Sequence, residues 1–326
     1  MRDSLRRTCE RFVQNQEMLK KTLRSGDLRL RSVCASMLLR APYVEEDVLR
    51  ESRDVLKQET GVFSNFRGFA QLASIVLLAM SGHPQTKITE AKETYRILKE
   101  EYYGCEYLAL AALTLTDLVQ PWQMEEVAVR GRKLYKRMKK EHGILTSQED
   151  CGFSLLLAMD PRSDDLLIRQ IEADYETLRH TFSAGNGLQS LTHVMALSGD
   201  TATCERVREL YYGLKENGLK YGRSYELSML GVLAGLPVPT EELVQEMLEV
   251  DQFLAPQKGY GFWGCSKKTR LMHAAMLVCA DRLKAGERTS ASLDTAMLSG
   301  TIAMIAAEQA ALCAIIAANA AATAAA

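Results

Sequence analysis

A short phrase that recurs down the chain constrains its fold more than any other feature. Tyr95, Tyr135, Tyr175 and Tyr211 are each followed three residues later by an apolar residue, Leu98, Met138, Leu178 and Leu214, and then by a basic one, Lys99, Lys139, Arg179 and Lys215. Weaker copies are carried by Arg53, Leu56 and Lys57 and by Asp251 and Leu254, so the apolar position recurs at 56, 98, 138, 178, 214 and 254. The steps are 42, 40, 40, 36 and 40 residues. A period near forty marks a helical repeat, in which one helix pair cannot bury its apolar face alone and must stack on the next.

Each period divides into two helices of different character. The first, helix A, is apolar nearly all round and poor in charge, and is predicted at 69–80, 107–118, 151–159, 188–197, 225–236 and 271–280. A helix apolar on every face is a buried one. Ala41, Ala79, Ala158, Ala196 and Ala234 sit at equivalent points and suit close helix approach. The second, helix B, is amphipathic: Val207, Leu210, Tyr211 and Leu214 follow i, i+3, i+4, i+7, and Met247, Val250 and Leu254 keep most of that stripe. Pro42, Pro84, Pro121, Pro161, Pro237 and Pro239 fall just after helix A, where they end one helix or open the next. Thr240 and Ser163, each before two acids, read as N-caps of B helices. The B-to-A turns pair a glycine or small polar residue with an aromatic or aliphatic one: 62–64, 103–104, 145–147, 182–183, 221–222 and 262–264. No alternating strand pattern occurs.

Residues 1–30 read as an amino-terminal helical cap with Gly26 as its break, residues 31–285 as the repeats, and 286–326 as an Ala-rich closing helix, all in one folding unit. The larger side chains of that last segment, Leu298, Ile302, Ile305, Leu312 and Ile316, trace a heptad stripe. Docking in the groove of the stack is the first expectation for it and self-association the second. A membrane span is not expected, because alanine contributes little and Glu308 beside Gln309 would lie in the middle of it.

Forty basic against forty-one acidic residues give a formal net charge of −1, so nothing in the balance calls for a nucleic-acid partner. Eight scattered cysteines form no Cys-x-x-Cys pair and no zinc spacing, and read as reduced thiols of a cytoplasmic protein. No apolar run follows the basic residues near Met1, so a secretory leader is not expected.

Few residues suggest chemistry. His193 and His273 lie on A helices, with Gln189 one turn before His193, and could face a groove as acid–base or ligand groups. The favoured account makes each a satisfied core histidine. Trp263, in a glycine-flanked aromatic turn, could meet a ligand, with Arg270 pairing an anion; the favoured account is an aromatic plug between repeats. Asn186 and Gln189 read as a helix cap and a buried hydrogen bond, or as groove-lining amides. The basic run from Arg130 to Lys140 could bind phosphate, yet its apolar stripe is intact and favours a solvated face. No Walker loop, dinucleotide fingerprint, nucleophile elbow or cysteine nucleophile context is present, and neither a cofactor nor a metal is implied.

Three segments carry a family likeness: Gly185-Asn-Gly-Leu-Gln189, the turn Gly259-Tyr-Gly-Phe-Trp-Gly264 with Arg270-Leu-Met272, and Glu308-Gln-Ala-Ala311. With them the chain resembles, over nearly its whole length, the bacterial family called domain of unknown function 4003. The resemblance implies a fold and a bacterial origin, and no mechanism. The expectation is therefore an all-α protein: an α-solenoid of about six to seven helical hairpins, tetratricopeptide-like or an α/α superhelix, closed by the Ala-rich helix. Stacked hairpins present extended surfaces, so a peptide- or protein-binding scaffold without catalysis is expected. The alternative is an α/α-toroid enzyme with a central pocket for a small molecule, with Trp263, His193 and His273 near it.

Overall fold

Amphipathic helices alternate with shorter apolar ones along the chain. The structure, a computed structural model, describes residues 1–41, 43–261, 264–289 and 295–325, with side chains described for all of these except 200, 285–289 and 295–298. In chain order the helices are α1 (Asp3–Leu23), α2 (Leu28–Met37), α3 (Glu46–Glu59), α4 (Gln71–Met80), α5 (Pro84–Glu101), α6 (Glu106–Leu115), α7 (Met124–Glu141), α8 (Cys151–Leu157), α9 (Asp164–Leu178), α10 (Asn186–Leu197), α11 (Cys204–Glu216), α12 (Leu227–Gly235), α13 (Thr240–Leu254), α14 (Lys267–Thr289) and α15 (Thr295–Ala324). There is no strand among the described residues, and the protein is all-α.

Two compact units emerge, one of residues 1–15 with 162–311 (unit I) and one of residues 16–161 with 312–326 (unit II). Each unit has two layers. In unit II the apolar helices α2, α4, α6 and α8 pack in series, the amphipathic α3, α5 and α7 pack in series, and each amphipathic helix lies on the apolar helix that follows it. Unit I repeats the plan with α10, α12 and α14 in one layer and α9, α11 and α13 in the other. The apolar helices have no solvent face: Leu72 to Ala79 in α4, Leu108 to Leu115 in α6 and Leu227 to Ala234 in α12 are buried without interruption. Their hydroxyls turn back on their own helices, Thr114 Oγ1 donating to the Leu110 carbonyl at 3.0 Å and Thr192 Oγ1 to that of Gln189 at 2.9 Å.

The recurring phrase has a physical meaning in this packing. Leu56, Leu98, Leu178, Leu214 and Leu254 are fully buried and Met138 is 2% exposed, so every apolar position of the phrase is core. The tyrosines join successive hairpins edge to face. Phe66 meets Tyr95 at 5.3 Å between ring centroids, Tyr102 meets Tyr135 at 5.9 Å, and Phe182 meets Tyr211 at 5.0 Å. Each such pair contributes about 0.5–1.5 kcal/mol beyond the area it buries.

A second periodic device escaped the sequence reading. A basic residue in the first two turns of an amphipathic helix, or just before it, reaches the open carbonyls at the end of an apolar one. Arg130 donates to the carbonyls of Ala158 (3.0 Å) and Asp160 (2.6 Å), Arg162 to that of Ala196 (2.5 Å), and Arg206 to those of Ala234 (2.5 Å), Leu236 (2.7 Å) and Val238. Lys87, 3% exposed, takes the same part by pairing with Asp117 just beyond α6 at 2.5 Å. A cation here satisfies carbonyls that have no partner in the helix and complements the negative end of its dipole. The equivalent alanines at 158, 196 and 234 are thus the helix ends that these cations cap.

Local expectations hold in part. Ser163 caps α9 through the Leu166 amide, and Pro84 opens α5. Thr240 is the first helical residue of α13 and makes no cap; Pro239 precedes it in the cap position. The break after α1 comes earlier than Gly26, because Arg24 takes a left-handed conformation at φ 53° and Asp27 already caps α2. Pro42 lies outside the described residues.

Within unit I the first half of α1 buries Leu5, Cys9 and Phe12, and its polar side is tied to α13 and α14. Arg2 pairs with Glu246 at 2.6 Å and Asp281 at 2.9 Å, while the hydroxyls of Ser4 and Thr8 donate to Asp281 at 3.2 and 3.1 Å. Helix α15 packs internally, but not by the expected stripe. Leu312 and Ile316 are buried, Ile302 and Ile305 only half so, and Ala303, Ala306, Ala307 and Ala311 are buried on the remaining faces. Alanine lets neighbours approach from every side, so no single apolar face is selected; the side chain of Leu298 lies outside the described residues. In unit I, Gly300 lies where an added Cβ would come within 2.9 Å of Leu283; in unit II, Asn319 bonds Asp27 at 2.9 Å and Arg29 at 3.0 Å. Residues Ser299–Ala324 are long and apolar enough to cross a membrane, with mean hydropathy 1.8, and 61% of that window is buried inside the protein.

Candidate functional site

Five of the six residues singled out in the sequence are described, and they lie in unit I on α10 and α14. Asn186 is exposed at the first position of α10, whose cap residue is Gly185. That entry is tight: a Cβ on Gly187 would stand 2.4 Å from the Ser224 carbonyl oxygen, so only glycine fits. Gln189 and His193 are buried one turn apart on α10. Arg270 and His273 lie on α14, and α12 packs between α10 and α14. Trp263 lies outside the described residues.

The anion expected for Arg270 is internal. Its guanidinium grips Asp251 of α13 through two bonds, of 2.7 and 3.2 Å. His273 is fully buried, its Nδ1 2.8 Å from the Tyr260 hydroxyl and its ring beside Phe12 at 6.2 Å. Its Nε2 has no hydrogen-bond partner among the described residues. Burial pushes the imidazole down to about 3, which keeps it neutral. A general acid or base works best with a pKa near the working pH, so His273 is poorly matched to proton transfer and well matched to a core.

Unit II holds two features that the sequence reading passed over. The first is an apolar edge. Phe63, Tyr103 and Ile144 are 100%, 80% and 99% exposed, one on each of the three consecutive turns that lead into α4, α6 and α8. These helices pack side by side in series and run the same way, so the turns before them share one end of the unit. The turns are also laced together: Glu106 at the start of α6 accepts from the Ala70 amide at 2.8 Å, and the Tyr102 and Ser154 hydroxyls meet at 3.0 Å. Other aromatics of the same turns, Phe66 and Tyr102, are buried one to three residues away, so Phe63 and Tyr103 are additional to them.

The second feature is a pair of thiols. Cys105 stands at the cap position of α6 and Cys151 is the first residue of α8, the neighbouring apolar helix. The neighbouring Cys151 thiol brings Cys105 down to about 7 against the burial that would raise it. No formed side-chain bond closes the α6 cap, so the Tyr107 and Leu108 amides act on the sulfur as a dipolar field. Cys151 is held well above its ordinary range by Cys105 and by burial. Asp150, just before it, is pushed up to about 7 by burial while it accepts from the Ser147 amide at 2.8 Å. No group of three or more His, Cys, Asp or Glu among the described residues could hold a metal ion.

The family model described as "Protein of unknown function (DUF4003)" matches residues 15–310. The chain belongs to the DUF4003 family. No curated protein and no solved structure matches it. The match takes in all the amphipathic and apolar helices α2 to α14, the apolar edge and the thiol pair of this DUF4003 protein, and ends within α15.

The basic run of the DUF4003 chain is spent largely on structure. Arg130 caps α8, and the Arg132 guanidinium lies over the rings of Tyr102 and Tyr135 at 5.5 and 5.2 Å. A window of composition could not separate these two from Lys139 and Lys140, which are exposed.

Proposed function

We propose that this DUF4003 protein is a non-catalytic binding module, a helical-hairpin repeat scaffold whose apolar edge in unit II engages a peptide or protein partner. The observation that carries the reading is the exposure of Phe63, Tyr103 and Ile144 on successive turns, 40 and 41 residues apart. Burying one such side chain is worth about 1.5–3 kcal/mol, so three in a row at one end of a unit form a surface with something to gain from a partner. The chemistry that fits is an apolar segment: a partner chain presenting large aliphatic or aromatic side chains, with little net charge required. None of the eight cysteines is in a disulfide, which suits a reducing compartment and supports a cytoplasmic setting.

Selection of a displayed peptide library on the full chain, followed by fluorescence anisotropy with the enriched peptides, tests the reading. The expected result is enrichment of peptides rich in large apolar residues, with affinity at least about tenfold weaker for the triple variant Phe63→Ser, Tyr103→Ser, Ile144→Ser. Enrichment without that loss, or no enrichment, sinks the assignment of the edge.

A further inference from the structure

We infer that the partner of the apolar edge carries carboxylates beside its large apolar side chains, and that Lys136, Lys139 and Lys140 at the end of α7 read them. The inference rests on the reading of the edge as a docking surface and adds the charge that its partner brings.

The three amphipathic helices of unit II, α3, α5 and α7, lead into the turns that carry Phe63, Tyr103 and Ile144. Their last two turns are charged differently. Residues 52–59 of α3 hold two basic and two acidic side chains, Arg53 and Lys57 with Asp54 and Glu59, and residues 94–101 of α5 hold Arg96 and Lys99 with Glu100 and Glu101. Residues 134–141 of α7 hold four basic side chains, Lys136, Arg137, Lys139 and Lys140, against Glu141 alone. The formal charge along the edge is therefore 0, 0 and +3.

The charges of α3 and α5 are also engaged inside the protein. Arg53 pairs with Asp54 at 2.9 Å, and Glu59 accepts from Gln85 and Lys92 at 2.7 and 3.1 Å. Arg96 bridges Glu93 and Glu100 at 2.8 and 2.9 Å, and the Lys99 ammonium lies 5.9 Å from the Tyr95 ring centroid. Lys136, Lys139 and Lys140 are exposed, and none makes an ion pair or side-chain hydrogen bond among the described residues. One cation in the last turn complements the helix dipole of α3 and of α5, Lys57 and Lys99, so the excess on α7 goes beyond that need. Of the carboxylates that begin the following helices, Glu106 and Asp150 accept from the Ala70 and Ser147 amides, both at 2.8 Å, and Glu149 is half-buried. They offset only part of the lysine charge.

Lys140 stands four residues before Ile144, so a segment seated on Ile144 lies beside the basic end of α7. The excess is at one end of the edge only. Complementary charge fixes register and favours the right partner, so the carboxylates belong on one side of the partner's apolar anchors.

The test is selection of a displayed random peptide library on the full chain, read for net charge, beside the same selection on the triple variant Lys136→Gln, Lys139→Gln, Lys140→Gln. Wild type should enrich apolar peptides with Asp or Glu flanking one side of the apolar residues, and the variant should enrich apolar peptides without that bias. In fluorescence anisotropy at low salt, an enriched peptide should bind the variant about tenfold more weakly than wild type. Changing the peptide's carboxylates to amides should cost wild type the same factor and the variant little, and salt at about 0.5 M should erase the difference. Circular dichroism checks that the variant is folded. Apolar peptides without an acidic bias, or a bias that survives in the variant, overturn the charge inference while the edge stands; no enrichment of apolar peptides removes both. Binding to phosphatidylserine vesicles that the glutamine substitutions abolish, with no acidic peptide enriched, would give the lysines to a lipid surface. Dimerisation abolished by Phe63→Ser, Tyr103→Ser, Ile144→Ser would give the edge to a second copy, and either result overturns the inference.

Discussion

Units I and II follow one plan and differ in what they leave unspent. In unit I three of the described turn aromatics are buried: Phe182, Tyr221 and Tyr260 are 1%, 3% and 3% exposed. Two of its polar pairs are internal, Arg270 with Asp251 and the Tyr260 hydroxyl with His273 Nδ1. Unit II buries its own plugs, Phe66 and Tyr102, and then adds Phe63 and Tyr103 in solvent. It also keeps a thiol and a carboxyl, Cys105 and Asp150, that both titrate at about 7. Groups held by the fold cost it dearly when removed, and groups it does not use are free for other work.

The sharpest way to break that contrast is to truncate one aromatic of each kind. Phe182→Ala removes a fully enclosed ring and its edge contact with Tyr211, and should lower stability by about 3–5 kcal/mol. Phe63→Ala should change it by no more than about 0.5 kcal/mol. Urea unfolding followed by circular dichroism measures both. A large loss for Phe63→Ala would mean that the edge is part of the core, and the functional reading of unit II would fail with it.

Next in size is the ion pair of unit I. Arg270→Ala strands the Asp251 carboxylate, which is 12% exposed, and should cost roughly 2–4 kcal/mol, reduced from the fully buried case by that access to water. Replacing both partners, Arg270→Met with Asp251→Leu, should recover more than half of the loss, because no charge is then left alone. Failure to recover would show that the guanidinium does more than hold its neighbour, and would return Arg270 to the list of ligand-binding candidates.

Stability against pH separates the two units by sign. His273 is held at about 3, below its ordinary 6.5, so its contribution is complete above about 6.5 and is lost as pH falls toward 3. Asp150 is held at about 7, above its ordinary 3.8, so its contribution is complete below about 3.8 and is lost as pH rises toward 7. The difference between wild type and His273→Gln should therefore shrink on acidification. For Asp150→Asn, which can still accept from the Ser147 amide, the variant should gain on wild type as pH rises through the same range. Urea midpoints from pH 3.5 to 8 decide it, and parallel curves for wild type and variant would remove the burial account of that group.

How much of this was legible in the chain depends on the distance between the residues involved. The phrase at Tyr95, Tyr135, Tyr175 and Tyr211 is local, so the helix pairs and the buried character of the apolar helices could be read directly. The caps formed by Arg130 and Arg206 join residues 28 apart across a hairpin, and nothing near either arginine announces its carbonyls. Phe63 and Phe66 sit three residues apart in one turn, and composition cannot tell which faces out. The histidines drew attention because histidine often does chemistry, yet burial makes His273 inert near neutrality. The cysteines form no short motif, and spacing along the chain does not show that Cys105 and Cys151 open neighbouring helices of the stack.

The smallest effect is also the most direct probe of that pair. At pH 7 a thiol of pKa about 7 is half thiolate, while an ordinary one near 8.5 is about 3% ionised, so Cys105 should react with iodoacetamide roughly tenfold faster than a cysteine in an unstructured peptide. The advantage should fade above pH 8.5, where the reference thiol is ionised as well. Cys9 and Cys279, pushed up to about 12 and beyond by burial, should lag far behind in the same sample. In Cys151→Ala the neighbouring thiol is gone, and the midpoint of the Cys105 profile should move upward while the helix amides keep part of the activation. A midpoint that stays at about 7 would assign the activation to the α6 terminus alone and make Cys151 a bystander in the charge balance. An unreactive Cys105 in wild type would erase the functional difference between the two units at this position, leaving the apolar edge to carry it.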